Sequence, residues 1–185
     1  MTSLPPAWPD TLPPPRERGT GPYRICLVCL GNICRSPMAE AVLRAQLDQA
    51  GLGGAVAVDS AGTGDWHVGN RMDSRARAEL ASRGYDGTTH QARQIATSWL
   101  AERDLVLAMD VSNLTDLRRM AGAAERDRIR LLRSFDRRSA PDAEVPDPYY
   151  GEGASFAGVL DLIEAAARGL AETLATALAG DGAGR

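Results

Sequence analysis

The 185-residue sequence has no excess of positive charge. Its formal net charge is −3 and its pI is near 5.4, whereas a general nucleic-acid binder carries a basic surplus. Nucleic acid is therefore not expected as a partner, although a small basic pocket is compatible with these totals. No apolar run approaches the roughly 20 residues of a membrane-spanning helix, so no membrane insertion is expected. The front of the chain lacks the charged-then-apolar pattern of a secretory signal. Cysteine is scarce: Cys26, Cys29 and Cys34 lie within nine residues, and an odd number makes a poor disulfide framework. A reducing, cytoplasmic location is expected, with secretion by a route that needs no signal peptide left open. The Gly-Lys-Ser or Gly-Lys-Thr of a nucleotide-binding loop is absent, and there is no internal repeat.

What is present fits one soluble domain. Hydrophobic and charged fractions of 44% and 24% are ordinary for a globular protein, and the length suffices for a real core. Residues 1–22 hold seven prolines and few aliphatics, which predicts a disordered, partly polyproline arm. "YRICLVC" suits a buried strand. Ala39, Val42, Leu43, Leu47 and Ala50 then recur at helical spacing, with Gly51 placed to end the helix. "AVAVDSAG" reads as a second strand, and "MDSRARAELASRG" as a helix with Asp73 or Ser74 near its start. "DLVLAMD" is a third strand, "VSNLTDLRRMA" a helix and "RIRLL" a fourth strand. After a long loop, Phe156, Val159, Leu160, Ile163, Ala167, Leu170 and Leu174 mark one face of a long final helix. Strands alternating with helices predict an α/β domain with a four-stranded parallel sheet. The boundaries expected are an arm over 1–22, a domain over 23–180 and a flexible tail over 181–185.

In such sheets ligands bind beyond the carboxyl ends of the strands, which is where Cys29 falls. The segment Cys29-Leu-Gly-Asn-Ile-Cys-Arg35 has the makings of a loop wrapped around an anion. Gly31 is expected to supply a backbone conformation closed to other residues, and successive N–H groups can form an anion nest. Ser36 as N-cap and Pro37 as first helical residue would add a helix N-terminus. Arg35 offers a planar fork for two phosphate oxygens. Surroundings of that kind also stabilise a thiolate, and a thiolate beside a bound phosphate is placed for in-line attack. Cys26 and Cys29 have the spacing of a zinc or redox pair, but three positions along a strand point to opposite faces and no second pair exists. Cys34, in the same tight loop, is expected to trap an oxidised Cys29 as a disulfide.

Attack on a phosphate ester expels an oxyanion that needs a proton. Asp147 in "VPDPYYG" is the favoured acid. Prolines on both sides stiffen it, and Tyr149 and Tyr150 offer an aromatic wall for a phenyl ring. Asp142 and Glu144 are the next candidates.

The segments "CLGNICRSPMAEAV", "DSAGTGDWHVG", "HQARQI", "MDVSNL" and "DPYYG" occur here in the order found in low-molecular-weight protein tyrosine phosphatases. Over residues 23–178 the sequence resembles that family, its actinobacterial members in particular. The resemblance implies a flavodoxin-like single domain with helices on both sheet faces and the phosphatase loop after strand 1. It implies hydrolysis of phosphotyrosine through a phosphocysteine on Cys29, with Arg35 clamping phosphate and Asp147 as acid, then base. Leu30, Gly31, Ile33 and Cys34 would complete the phosphate loop, and Asn32, Ser36, Ser60 and His90 the polar network supporting it. Ser36 would also assist departure of the thiolate. Trp66, His67, Tyr149 and Tyr150 would line the substrate cleft. Phosphotyrosine proteins are the implied partners, together with a tyrosine kinase acting on Tyr149 or Tyr150. No cofactor and no metal is called for. Related arsenate reductases pass oxidation to downstream cysteines, which this chain lacks after Cys34. Related arginine phosphatases carry threonine at the position of Ile33 and lack the tyrosine pair. A non-catalytic phosphotyrosine reader would be expected to lose the cysteine, arginine or acid, and all three are present.

Overall fold

The first strand, β1 (Tyr23–Cys29), is buried on both faces, and its side chains divide by parity. Ile25, Leu27 and Cys29 enter one apolar cluster, Cys26 and Val28 another, as the period of two in a strand requires. The computed structural model describes residues 12–16, 21–151 and 154–182. Three further strands, β2 (Val56–Gly62), β3 (Leu105–Ala108) and β4 (Ile129–Leu131), join β1 in one all-parallel sheet of order β2-β1-β3-β4. Helices α1 (Arg35–Gln49), α2 (Ser74–Ser82) and α5 (Phe156–Gly182) feed the first cluster. Helices α3 (Thr97–Glu102) and α4 (Val111–Met120) feed the second. The sheet is thus covered on both faces. The chain passes from β1 to β2 on one side and then crosses back to β3 on the other side of β1, so a crevice opens at the carboxyl end of β1.

Helix α5 buries most of the stripe anticipated for it: Val159, Leu160, Ile163, Ala167, Leu170 and Leu174 are buried, while Phe156 at its start is only partly buried. Three local expectations are corrected. Helix α1 begins at Arg35 with Cys34 in the cap position and no capping side chain. Ser36 is not the N-cap, because its hydroxyl is committed to the Cys29 loop. Ala50 lies just past the end of α1 and is exposed. The six-residue α3 was not anticipated, since Leu100 is its single buried residue and sets up no periodicity.

The arm also departs from expectation. Residues 12–16 are docked against the amino ends of the strands rather than disordered. Pro13 is buried, and its carbonyl accepts from the Tyr23 hydroxyl at 2.9 Å. Arg16 N donates to Asp104 Oδ1 at 2.7 Å, and its guanidinium donates to the carbonyls of Arg103 and Leu100 at 2.8 Å each. Arg128 Nη1 donates to the Pro14 carbonyl at 2.8 Å. The rest of the expected arm at 1–11 and 17–20, and the tail at 183–185, lie outside the described residues. Helix α5 itself runs on to Gly182, past the domain end expected at 180.

Candidate active site

Cys29 ends β1, and the chain then folds back over its sulfur before α1 begins. Cys29 Sγ lies 3.0 Å from Ser36 Oγ and accepts from Asn32 N at 3.3 Å. The left-handed residue of this loop is Asn32, at φ 55°, and not Gly31. Asparagine tolerates that region better than other side chains. Its buried amide is saturated here. Nδ2 donates to Ser36 Oγ and Ser60 Oγ at 2.9 Å each, and Oδ1 accepts from Arg93 N at 2.8 Å. Ser60 in turn donates to Glu40 Oε2 at 2.5 Å. His90 Nε2 meets the Asn32 carbonyl at 2.7 Å, so that nitrogen carries the proton. Burial lowers the His90 pKa, against the opposing pull of its bond to Asn32.

Gly31 does not supply the left-handed backbone expected of it, and what its missing side chain provides is room for the His67 ring. A Cβ there would stand 2.9 Å from His67 Cδ2. Gly62, the partner of Cys29 across the sheet, is tighter: a Cβ would fall 2.7 Å from the Leu30 carbonyl oxygen and 3.1 Å from Asn32 N. The loop rests directly on the end of β2.

Arg35 is buried and held at both terminal nitrogens. Nη1 donates to Asp110 Oδ2 at 2.5 Å and to the Val145 carbonyl at 3.1 Å, and Nη2 donates to Asp147 Oδ2 at 3.0 Å. Burial works against its charge. Cys29 and the carboxylates of Asp110 and Asp147 outweigh that and raise its pKa further. Asp147 also accepts from Tyr149 N through Oδ1 at 3.1 Å. Cys34 is buried beside Ile33 and Ala92, and burial foremost, then Asp73 and Cys29, pushes its thiol up to about 12.

One cavity of about 320 Å³ opens over the loop. Cys29, Arg35 and Asp147 border it, Trp66, His67, Tyr149 and Tyr150 form its rim, and Leu30, Gly31, Ile33 and Cys34 complete its lining. Asn32, Ser36, Ser60 and His90 stand beneath or beside the loop and do not line the cavity. Asp142 does not line it either, and Glu144 is turned away, accepting from Val111 N at 2.7 Å. Among the described residues, no group of three or more His, Cys, Asp or Glu is arranged to hold a metal ion, and no helix is long and apolar enough to cross a membrane.

Sequence reasoning missed Asp110 and Glu40. Asp110 sits at the carboxyl end of β3, caps α4 by accepting from Asn113 N at 2.7 Å, and pairs with Arg35. Its place at a strand end was a usable signal. Glu40 lies one helical turn past Ser36, on the face of α1 that meets β2.

The family model for "Low molecular weight phosphotyrosine protein phosphatase" matches residues 24–179. The chain is 54% identical over 151 residues to the low molecular weight protein-tyrosine-phosphatase of Streptomyces coelicolor, covering 80% of this chain and 91% of the relative. It is 47% identical over 162 residues to low molecular weight protein-tyrosine phosphatase A of Mycobacterium bovis, covering 87% and 97%. Among solved structures, YfkJ from Bacillus subtilis superposes with a TM-score of 0.78 at 37% identity, covering 89% of this chain and 99% of that one. A protein tyrosine phosphatase from Entamoeba histolytica gives 0.78 at 36% identity, covering 82% and 96%. With this sheet, this cysteine loop and these matches, the chain belongs to the low molecular weight phosphotyrosine protein phosphatase family.

Proposed function

We propose that the protein hydrolyses phosphotyrosine on other proteins, with Cys29 as nucleophile, Arg35 as phosphate clamp and Asp147 as acid and then base. The observation that carries this reading is the convergence of the three on one cavity, with Asp147 and Arg35 in direct contact at 3.0 Å. A bound phosphate draws Arg35 Nη2 onto its oxygens and frees the Asp147 carboxyl for the ester oxygen. The Cys29 thiolate then attacks phosphorus, the bond from phosphorus to the tyrosyl oxygen breaks, and Asp147 gives that oxygen its proton. In the second step the Asp147 carboxylate takes a proton from water. The resulting hydroxide attacks phosphorus, breaks the bond to sulfur and releases inorganic phosphate. Ser36 Oγ, 3.0 Å from Sγ, donates to the departing thiolate. Backbone N–H groups of the loop and the start of α1 supply the anion-binding field.

Two features support an aryl ester. Cys29 is only 3% exposed, so the phosphate enters past the aromatic rim on an arm of some length. Ile33 and the tyrosine pair give that arm apolar walls. Tyr150, 84% exposed, is open to a tyrosine kinase. The reducing chemistry of an unpaired nucleophilic thiol suits the cytoplasm.

Phosphate release from a phosphotyrosine peptide is the test. Cys29→Ser should abolish it with the fold intact, and Arg35→Lys should be nearly as damaging. Asp147→Ala should lose roughly 2 to 4 decades on phenyl phosphate, and less when the leaving group needs no proton. Substantial turnover by Cys29→Ser removes it from the nucleophile role, and preferred turnover of a phosphoarginine peptide reassigns the substrate.

A further inference from the structure

Arg75, in the first turn of α2, has no part in the chemistry above, yet it joins the pieces that carry it. Asp73, the N-cap of α2, donates its N–H to the Ile33 carbonyl at 2.9 Å, so α2 starts against the phosphate loop. The Asp73 carboxylate grips the Arg75 guanidinium as a fork, Nε to Oδ1 at 3.1 Å and Nη2 to Oδ2 at 2.9 Å. The remaining terminal nitrogen, Nη1, donates to the Tyr149 carbonyl at 3.1 Å. The guanidinium carbon also lies 5.4 Å from the Tyr149 ring centroid and 4.9 Å from that of Phe156, within cation–π range.

Within itself the loop that Arg75 touches makes two short-range bonds, Tyr149 N to Asp147 Oδ1 at 3.1 Å and Gly151 N to the Pro148 carbonyl at 3.2 Å, and both stay inside the loop without tying it to the domain. Pro146 and Pro148 flank Asp147 and carry no N–H. On the near side the chain is anchored where Val145 N donates to the Met109 carbonyl at 2.8 Å. Arg75 supplies an anchor on the far side, two residues past Asp147. Its side chain is 49% exposed, and an ion pair so open to water adds little to stability. Its contacts make sense as placement.

We infer that Arg75 is the positioning residue of the acid loop, holding Tyr149 against the α2 start so that the Asp147 carboxyl stands over the cavity. This rests on the proposed role of Asp147. The test uses the full chain with Arg75→Met, which keeps packing length and removes the donors, and Arg75→Lys, which keeps charge and one donor. Hydrogen exchange over residues 145–151 should rise in Arg75→Met. Its kcat/KM on phenyl phosphate, which reports the step that expels the leaving group, should fall about tenfold, within what misplacing a general acid costs, while inhibition by inorganic phosphate stays within about twofold of wild type. The loss should nearly vanish on aryl phosphates whose leaving group needs no proton. It should vanish too in an Asp147→Ala background, because the two residues then act as one unit. Arg75→Lys should recover part of the rate, and it keeps the test open if Arg75→Met folds poorly. Unchanged exchange, an equal loss for every leaving group, or additivity with Asp147→Ala overturns the inference. If Asp147→Ala alone shows no leaving-group dependence, the acid assignment has failed instead.

Discussion

Asn32 holds a left-handed backbone that costs an L-residue roughly 1 to 2 kcal/mol, and five hydrogen bonds keep it there. One comes from His90, which gives the loop a pH dependence. The unfolded chain takes up a proton near 6.5, whereas burial defers protonation of folded His90 to lower pH. Below about pH 6.5 the unfolded state therefore binds more protons, and stability falls with pH until the folded pKa is passed. His90→Gln, which can still donate to the Asn32 carbonyl, should flatten the decline in melting temperature between pH 7 and 5.5. An unchanged slope would place the titration elsewhere. Burial holds Cys34 neutral as well: with its thiol pushed up to about 12, little thiolate exists at neutral pH. Peroxide should oxidise Cys29 to a sulfenic acid, and the Cys34 thiolate should then attack that sulfur, expel hydroxide and form the disulfide. That closure should speed up about tenfold per pH unit. A thiol reductant should restore most wild-type activity and far less in Cys34→Ser. Equal recovery in the two proteins would leave Cys34 as packing alone.

Strand ends set the height of the phosphate loop. Gly62→Ala would drive a methyl group into the backbone of Leu30 and Asn32, which has no freedom to swing aside. A cost of about 1–3 kcal/mol in urea unfolding is expected, with kcat at least tenfold lower because the N–H groups move off the phosphate. Wild-type kcat would show that the loop does not depend on this floor. Elements with a period were legible in the sequence. Parity along β1 and the stripe of α5 each arise from local spacing that the core must obey, and the cysteine loop is compact enough to show its residues, though not that Asn32 rather than Gly31 takes the left-handed turn. The start of α1 was not, because Ser36 would be a good cap for an isolated helix but serves Cys29 in this one. Nor were Asp110 and Arg75, whose partners stand 75 and 74 residues away and are brought close only by folding. The short α3 buries too little to announce itself.

At the scale of the molecule, the docked residues 12–16 are expected to act on stability and not on chemistry. They meet Tyr23, Asp104 and Arg128 at the amino ends of β1, β3 and β4, across the sheet from Cys29. Deleting residues 1–16 strips partners from the Tyr23 hydroxyl and Asp104. A loss of about 2 kcal/mol is expected, a drop in melting temperature of about 4–8 °C, with kcat/KM on phosphotyrosine peptide within twofold of the full chain. An unchanged melting temperature would mean that the contacts are too weakly held to matter.

The docked arm also gives the catalyst a back and a front. Residues 13–16 lie at the amino ends of the strands, away from the cleft, so a tether fixed on that side should hold the enzyme with its mouth turned outward. Captured on a bead by that end, the protein should dephosphorylate bulky phosphoproteins as readily as it does in solution, while the same bead attached near Trp66 would block its own substrates.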